Sequence, residues 1–342
     1  MPPESPHVPV LPAEVREMAV VRPGSIIVDG TFGAGGHARV LLPDFDGRGP
    51  AAPDPHTPRA EGGGSRSMYI GIDRDPSAQP RFEAFAAEAA AAGVSTRFVA
   101  DTYADGLVQL REEGLSADVV ILDVGVSSMQ LDEPERGFAY SYDAPLDMRM
   151  DPSSGASAAE LLEHAPEDEL IRIMREYGEE RYARRIASAI VRRREAGPPL
   201  LRTGDLVELI LRAIPGVARN APGGHPARRV FQGVRIAVND ELGQLDRGLD
   251  AAFALLPPGG RLLVISFHSL EDRMVKRRFE SWLGRCVCPP GLPICRCGAQ
   301  AEGELLHRKV VRASAAEMAK NPRAASARLR GVRRLPSAEA PA

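Results

Sequence analysis

The most regular pattern in the chain is a set of short apolar runs, each ending at or just before a polar residue. Continuous apolar runs of this length are typical of strands that a parallel sheet buries on both faces. We therefore predict five parallel strands and two closing strands. The five lie at 26–29, 68–75, 96–100, 118–123 and 261–267, and the closing pair at 308–313 and 326–334.

Helical spacing of apolar residues fills much of the remaining chain. The stretch between the fourth and fifth strands is too long for one crossover helix, and helical patterns recur along it. They lie at residues 158–163, 166–177, 181–194, 203–213 and 230–256. The sequence therefore predicts an α/β fold in which a helical domain is inserted between strands four and five.

Predicted boundaries follow from these patterns. We place a discontinuous sheet domain at residues 7–133 and 245–334, and the inserted helical domain at 134–244. Residues 44–67 are rich in Gly, Pro, Ala and Asp, so we predict a disordered surface insertion there. We also predict a disordered tail at 335–342.

A glycine-rich turn follows the first strand and supplies the first chemical signal. Asp29 precedes a turn of the form G-x-x-G-x-G-G, which ends at Gly35 and Gly36. A dinucleotide site would instead have G-x-G-x-x-G with its acidic residue about 20 residues later. A carboxylate before the glycines suits a cationic ligand such as S-adenosylmethionine and would repel a pyrophosphate. A tight turn without a ligand is the structural alternative.

A second acidic strand end supports the same ligand. Asp73 ends the second apolar run, at the place where a strand-end carboxylate accepts hydrogen bonds from a ribose diol. Asp75, two residues later, is equally well explained as a cap on the following helix.

Charge is distributed unevenly along a chain whose net charge is only −3. Residues 272–334 hold fifteen Lys or Arg against five Asp or Glu, and residues 172–194 and 212–235 each have a net charge of +5. Arginine predominates, which favours bidentate phosphate contacts. We expect a polyanionic partner, recognised by the inserted helical domain and contacted in part by Arg323, Arg328 and Arg330, although solvated helix faces would give the same composition.

Hydropathy and cysteine content indicate where in the cell the protein is expected. No apolar run approaches the ~20 residues that span a bilayer, and the first residues do not form a signal peptide, so we expect a cytoplasmic protein that does not enter membranes. The four cysteines form two C-x-C pairs, Cys286 with Cys288 and Cys295 with Cys297. Zinc sites more often use C-x₂-C spacing, and disulfides are rare in the cytoplasm, so no metal is assigned.

Several motifs in order resemble one known family. They are Asp29-Gly30-Thr31-Phe32-Gly33-x-Gly35-Gly36-His37, Asp73-Arg74-Asp75, Leu122-Asp123-x-Gly125-Val126-Ser127-Ser128, Pro145-Leu146-Asp147-Met148-Arg149-Met150-Asp151, Tyr177-Gly178-Glu179-Glu180-Arg181, Ser266-Phe267-His268-Ser269-Leu270-Glu271-Asp272 and Asn321-Pro322-Arg323-Ala324. The chain resembles the bacterial small-subunit ribosomal RNA (cytosine-N4)-methyltransferases, the RsmH/MraW family. The likeness covers nearly the whole chain apart from residues 44–67 and both ends.

The resemblance implies a class I, Rossmann-like methyltransferase sheet that uses S-adenosylmethionine. It implies methylation of a cytidine in the decoding region of 16S rRNA, with the small ribosomal subunit as partner and no obligatory protein partner. The family's cofactor contacts correspond here to seven positions, and we add Asp29 from the residue argument above. The seven are Gly35, Gly36, His37, Asp73, Tyr103, Asp123 and Gln130.

Candidate catalytic residues follow from what the reaction needs. Cytosine N4 is a weak nucleophile, so methyl transfer needs in-line positioning and an acceptor for the amine protons. Our candidates are Ser127, Ser128, Asp147 and His268, at predicted crevice positions. For His268 a helix cap is the alternative, and for Asp147 a structural pairing with Arg149.

Three other functions compete with this one. Methylases that act on DNA amines usually have an acid or Asn, then Pro-Pro and an aromatic residue, after strand four, and Asp123-Val124-Gly125-Val126 lacks the prolines and the aromatic. Carbon-5 methylation of cytosine needs a cysteine nucleophile, and no cysteine precedes residue 286. An inactive RNA-binding assembly factor would have no need to retain three strand-end carboxylates.

Overall fold

The computed structural model describes residues 8–46, 67–219, 224–284 and 300–336. The strands are β1 (Ile26–Asp29), β2 (Met68–Ile72), β3 (Ser95–Val99), β4 (Val119–Asp123), β5 (Arg261–Ser266), β6 (Gly303–Leu305) and β7 (Arg328–Arg334). The α-helices are α1 (Pro12–Ala19), α2 (Gly36–Leu41), α3 (Ala78–Ala91), α4 (Tyr103–Glu112), α5 (Ser128–Asp132), α6 (Ala158–His164), α7 (Glu167–Arg172), α8 (Ala183–Ala196), α9 (Thr203–Ala213), α10 (Gly216–Arg219), α11 (Ala227–Asn239), α12 (Glu241–Leu255), α13 (Ser269–Trp282) and α14 (Ala315–Lys320). Short 3₁₀ turns lie at Leu42–Asp46, Pro134–Arg136 and Pro322–Ser326, and Ile173–Tyr177 is a π-helical turn.

The seven strands form one sheet in the order β3-β2-β1-β4-β5-β7-β6. Strands β1 to β5 are parallel, whereas β7 runs antiparallel between β5 and β6. The chain proceeds outward from β1 to β3, then crosses back to place β4 on the other side of β1. This is the strand order of a class I methyltransferase sheet, and the predicted α/β fold class is confirmed.

Alternate residues along each strand enter different layers of the core. Ile27 and Ile121 face one layer, packed with side chains of α1, α2 and α3. Val28 and Val120 face the other, packed with α4, α12 and α13. Because both faces of the strands are buried, their sequences are continuously apolar rather than alternating.

The chain divides into two compact units. The first comprises residues 1–125 and 243–342 and contains the sheet, and the second comprises residues 126–242 and is helical with its own apolar core. The predicted domain boundary at 133/134 lies eight residues beyond the division at 125/126, and the one at 244/245 lies two residues beyond the division at 242/243. The recognition role predicted for the inserted helical part stays a prediction.

Two predicted elements were wrong in detail. The helix predicted at 230–256 is two helices, because Asp240 adopts a left-handed conformation (φ 48°) between α11 and α12. The strand predicted at 308–313 is not a strand. Val311 makes only an isolated bridge to Leu329, since β6 occupies the position beside the end of β7.

The predicted disorder was wrong at its edges. Asp44 and Phe45 are buried, and Asp44 accepts hydrogen bonds from Arg16. The Ser67 carbonyl accepts a hydrogen bond from the Ser95 amide at the start of β3. Residues 47–66 lie outside the described residues, as do 1–7 and 337–342. In the predicted tail, the Leu335 amide donates a hydrogen bond to the Glu302 carbonyl.

None of the described helices is long and apolar enough to span a lipid bilayer.

Candidate cofactor site and catalytic residues

The carboxyl ends of three neighbouring strands bring three acidic residues to one edge of the sheet. Asp29 ends β1, Asp123 ends β4, and Asp73 follows β2 directly. Strand β1 lies between β2 and β4, where the order of the strands reverses. Ligands of open α/β sheets bind in the crevice at such a switch point, so the predicted cofactor residues of the sheet unit lie where the fold places a ligand.

Backbone hydrogen bonds hold the glycine turn to both neighbouring strands. The Gly30 amide donates to the Ile121 carbonyl, and the Phe32 amide donates to the Ile72 carbonyl. Gly35 has a φ of 72°, and a Cβ built on it would lie 2.7 Å from Phe32 Cζ. The turn therefore needs glycine at Gly35 both for its backbone conformation and for the aromatic ring beneath it. Gly36 then opens α2.

Asp29 is held by partners inside the protein. Its carboxylate accepts hydrogen bonds from the Tyr69 hydroxyl at 2.8 Å and from the Thr31 amide at 3.1 Å. Burial raises the pKa of Asp29, although the nearby His37 and the Tyr69 hydrogen bond act against that rise. This geometry favours support of the glycine turn, and the predicted contact between Asp29 and the cofactor stays a prediction.

Asp73 closes the glycine turn from the next strand. One carboxylate oxygen accepts a hydrogen bond from the Gly33 amide at 2.8 Å, and the other accepts one from the Asp75 amide at 2.9 Å. Burial raises the pKa of Asp73 to about 6. Each oxygen retains a further lone pair, which suits the predicted bidentate contact with two ribose hydroxyls.

Buried His37 and half-buried Asp123 form a pair with unused hydrogen-bonding capacity. His37 Nε2 lies 3.5 Å from an Asp123 carboxylate oxygen. Neither ring nitrogen of His37, nor Asp123 Oδ1, has a hydrogen-bond partner among the described residues. Burial lowers the pKa of His37, but the carboxylates of Asp123 and Asp29 outweigh burial and raise it overall. Buried polar atoms without partners are costly, so these three atoms indicate a ligand that supplies the missing bonds.

Tyr103 opens α4 and lies directly against a glycine of α12. A Cβ built on Gly248 would lie 2.4 Å from Tyr103 Cε2. The ring therefore rests on the helix backbone, at a distance that only glycine allows. Thr102, the residue before Tyr103, caps α4 by accepting a hydrogen bond from the Asp105 amide. Both contacts fix the position of the ring that is predicted to stack on adenine.

These residues fit S-adenosylmethionine. The acidic strand ends suit its cationic groups, Asp73 suits its ribose, and the unpartnered atoms of His37 and Asp123 require a polar ligand. Carboxylates occupy these strand ends, where a pyrophosphate would need amides or cations.

In the helical unit, Ser127 and Gln130 form a helix cap. Ser127 Oγ accepts a hydrogen bond from the Gln130 amide, and Gln130 Oε1 accepts one from the Ser127 amide. The cap accounts for both side-chain groups without any substrate. Catalysis by Ser127 and cofactor binding by Gln130 stay predictions. Ser128 begins α5, and its side chain lies outside the described residues.

Asp147 is engaged with Arg149, the structural alternative that the sequence left open. Arg149 Nε and Nη2 donate to its two carboxylate oxygens at 2.8 and 2.7 Å. Burial raises the pKa of Asp147, but the hydrogen bonds from Arg149 outweigh it and lower the pKa overall. A lowered pKa makes the carboxylate a weaker proton acceptor, so this geometry disfavours the predicted catalytic role.

His268 caps α13, as its structural alternative predicted. Its Nδ1 accepts a hydrogen bond from the Glu271 amide, and Glu271 Oε2 accepts from the amides of Phe267 and His268. Nε2 lies 3.0 Å from Glu271 Oε1 but makes no hydrogen bond within the described ranges. Because Nδ1 accepts, the neutral ring carries its proton on Nε2, so this geometry disfavours His268 as a proton acceptor, and its catalytic role stays a prediction.

The basic residues predicted to contact RNA near the C-terminus have internal partners. Arg330 donates to Asp272 of α13 at 2.7 Å, and Arg328 lies 3.8 Å from the same carboxylate. Both arginines therefore neutralise Asp272 beside β7. The geometry favours a structural role for these two, contrary to our expectation.

Sequence reasoning missed two supporting residues. Tyr69 was counted only as part of an apolar strand, although a hydroxyl within a buried strand signals a hidden polar partner. Gly248 interrupts a helical pattern, and an isolated glycine there signals a close approach. The two predicted cysteine pairs lie outside the described residues.

Comparisons with a family model and with individual relatives point to the same family. A model of the MraW methylase family matches residues 60–335. The "Ribosomal RNA small subunit methyltransferase H" of Heliobacterium modesticaldum is 47% identical over 96% of this chain and 98% of its own length. The proteins of the same name from Symbiobacterium thermophilum and Geobacter sulfurreducens are each 48% identical, over 97% and 96% of this chain and 98% and 99% of their own lengths.

Proposed function

The chain belongs to the MraW methylase family, and from that premise we propose that it methylates the N4 amine of a cytidine in 16S rRNA. It is an enzyme that uses S-adenosylmethionine as the methyl donor. The family predicted from the sequence motifs is confirmed by relatives that match almost end to end. The decoding region of the small subunit is the proposed location of the cytidine.

One observation on the structure carries the assignment of the donor. His37 and Asp123 carry three buried polar atoms that have no hydrogen-bond partner among the described residues, beside the Gly35–Gly36 turn and Asp73. A protein whose role was only to bind RNA would have no reason to keep this costly arrangement at the switch point of the sheet. The geometry therefore supports an active methylase over an inactive assembly factor.

Methyl transfer to the N4 amine requires that the protein position the two reactants and that an acceptor take the amine proton. S-Adenosylmethionine supplies an electrophilic methyl group on a sulfonium when it is bound. Asp73 and the ring of Tyr103 orient the nucleoside end, while Asp123 and His37 provide polar contacts further along the strand ends. Holding the two reactants in line lowers the barrier without a covalent intermediate on the protein.

The partner and the location are proposed from the family. The rRNA substrate follows from the family, and we propose 16S rRNA or the small ribosomal subunit that contains it as the partner. We propose a cytoplasmic location, where ribosomal subunits are found. The expectation that no further protein is required stays a prediction.

A direct assay tests this function. The purified protein is incubated with isotopically labelled S-adenosylmethionine and small subunits from cells that lack the gene. The rRNA is then digested to nucleosides. We expect label in N4-methylcytidine and none in C5-methylcytidine. Label in DNA under the same conditions, or label only in another nucleoside, would support the competing amino-methylase or a different RNA modification.

A further inference from the structure

The helical unit presents a set of exposed arginines around its π-helical turn. They are Arg175, Arg181, Arg184, Arg185, Arg228 and Arg229, and all six are exposed. None of them pairs with an acid within residues 8–46, 67–219, 224–284 and 300–336. By contrast, Arg202 and Arg212 of the same unit each pair with an acid. We call the six residues the arginine surface.

Close backbone packing brings the two halves of the arginine surface together. A Cβ built on Gly178 would lie 2.5 Å from the Arg229 carbonyl oxygen, and one on Gly233 would lie 2.9 Å from the Ile173 carbonyl oxygen. Gln232 Nε2 also donates to the Tyr177 carbonyl. The π-helical turn and α11 therefore cross at backbone contact, and this places Arg228 and Arg229 beside the turn.

The other four arginines come from the turn and the helix that follows it. Arg175 lies within the turn, and Arg181 follows it with its guanidinium over the Tyr182 ring, 4.6 Å from the ring centroid. Arg184 and Arg185 lie in the first turn of α8. The tight chain reversal that leads into them is fixed by a hydrogen bond from the Glu180 amide to the Met174 carbonyl.

The acidic residues described near this surface are directed to other partners or are outnumbered. Glu176 contacts Arg172, which also pairs with Glu169, so both acids are directed to a cation outside the set. Glu180 is buried and accepts a hydrogen bond from the Tyr182 amide. Glu179, which follows the turn, is exposed. Six arginines outnumber Glu179 and the one negative charge by which Glu169 and Glu176 exceed Arg172, so the described part of this surface is strongly positive.

We propose that the arginine surface binds the phosphate backbone of the rRNA substrate. This inference rests on the proposed function, and it names the part of the helical unit that grips the RNA. Guanidinium groups that lack acidic partners are available for bidentate contacts with phosphate oxygens. A rigid turn with close backbone packing holds them in a fixed arrangement, which reduces the entropy lost on binding.

Matched charge variants test the proposal. The test protein carries Arg184→Gln and Arg228→Gln, and the control carries Arg202→Gln and Arg212→Gln, so both lose two positive charges from the helical unit. Binding to a 16S rRNA transcript is measured across a series of salt concentrations. Each lost phosphate contact on single-stranded RNA lowers the slope of log K against log salt by about 0.7. We expect the test protein to lose a slope of about 1.4 and to bind about tenfold more weakly near physiological salt.

Further measurements make the outcome decisive. The control should keep the wild-type slope, and both proteins should bind S-adenosylmethionine as the wild type does. The charge-preserving pair Arg184→Lys and Arg228→Lys should regain most of the slope. A test protein with the wild-type slope, or a control that loses as much, overturns the arginine surface. If instead the wild-type protein fails to methylate small subunits, the proposed function fails, and the binding series still shows whether the surface holds RNA.

Discussion

At the scale of single residues, Asp73 should make cofactor binding depend on pH. Burial raises its pKa to about 6, above the ordinary value of about 3.9. Only the charged carboxylate can accept both ribose hydroxyls, so affinity for S-adenosylmethionine should rise as pH increases through 6 and level off above it. Calorimetric titration from pH 5 to 8 measures this. Asp73→Asn should bind about tenfold more weakly and lose the part of the pH dependence centred near 6, while the part that His37 contributes through its raised pKa remains.

The raised pKa of Asp73 affects the stability of the ligand-free protein in the opposite direction, because stability falls as pH increases. A carboxyl group with a raised pKa in the folded state binds more protons when folded than when unfolded between pH 4 and 6. Its contribution to the free energy of unfolding is therefore fully present below pH 4 and is lost as pH rises through 6. Calorimetry measures the pH dependence of binding, and chemical denaturation measures the pH dependence of stability. If Asp73→Asn and the wild type respond to pH identically in both measurements, another group controls binding.

Gly248 gives a second prediction at this scale. An Ala for Gly change inside a helix ordinarily stabilises the helix by about 1 kcal/mol. Here the added Cβ would lie 2.4 Å from Tyr103, so the ring must move. We expect Gly248→Ala to weaken S-adenosylmethionine binding about tenfold. In a Tyr103→Leu background the same change should raise the melting temperature and leave affinity unaltered. Unchanged affinity in the native background would mean that the position of the ring does not matter.

Tyr69 supports Asp29 from the neighbouring strand, and its removal has a predictable cost. Tyr69→Phe deletes the 2.8 Å hydrogen bond and leaves a buried carboxylate with one fewer donor. The free energy of unfolding should fall by about 1–3 kcal/mol. Chemical denaturation of the wild type and of Tyr69→Phe at pH 7 measures the fall. A change below about 0.3 kcal/mol would show that Asp29 finds another donor.

Sequence reasoning at this scale located the acidic residues but not their partners. Asp73 and Asp123 could be predicted because an apolar run that ends in an acid identifies a strand end. The hydrogen bond from Tyr69 to Asp29 could not, because it depends on the register between β1 and β2. Similarly, Ser127 and Asp147 were selected by residue type, whereas a cap and a salt bridge engage them in the structure.

At the scale of elements, the π-helical turn depends on Gly178. Its backbone conformation suits any residue, but an added Cβ would lie 2.5 Å from the Arg229 carbonyl and 2.7 Å from the Met174 carbonyl. Backbone atoms cannot move aside cheaply, so Gly178→Ala should lower the free energy of unfolding by about 1–3 kcal/mol. The matched control is Gly216→Ala, where nothing lies within 4 Å of the added atom. Equal stability of the two variants would contradict the close crossing.

Element prediction succeeded where local sequence dominates and failed where pairing decides. The helix predicted at 203–213 has those bounds in the structure. The break at Asp240 was missed because an aspartate in the left-handed conformation carries no distinctive sequence signal. The strand predicted at 308–313 failed because the choice between it and β6 is made by contacts with β7, far along the chain.

At the scale of the whole molecule, the order of the sheet explains why the chemistry lies where it does. Reversal of strand order beside β1 places three strand ends, a glycine turn and the His37–Asp123 pair within one sheet unit. The long helical insertion was predictable because 124–260 is too long to be one crossover. The internal pairing of Arg328 and Arg330 was not predictable, since composition alone cannot separate a structural cation from one that binds RNA.

The central claim is that this protein methylates N4 of a cytidine in 16S rRNA. Mass spectrometry of 16S rRNA from a strain that lacks the gene tests it most directly. We expect one N4-methylated cytidine of the decoding region to lose this methyl group, the wild-type gene to restore it, and a gene that encodes Asp73→Ala to restore little of it. A 16S rRNA whose cytidine methylation is the same with and without the gene would contradict the claim.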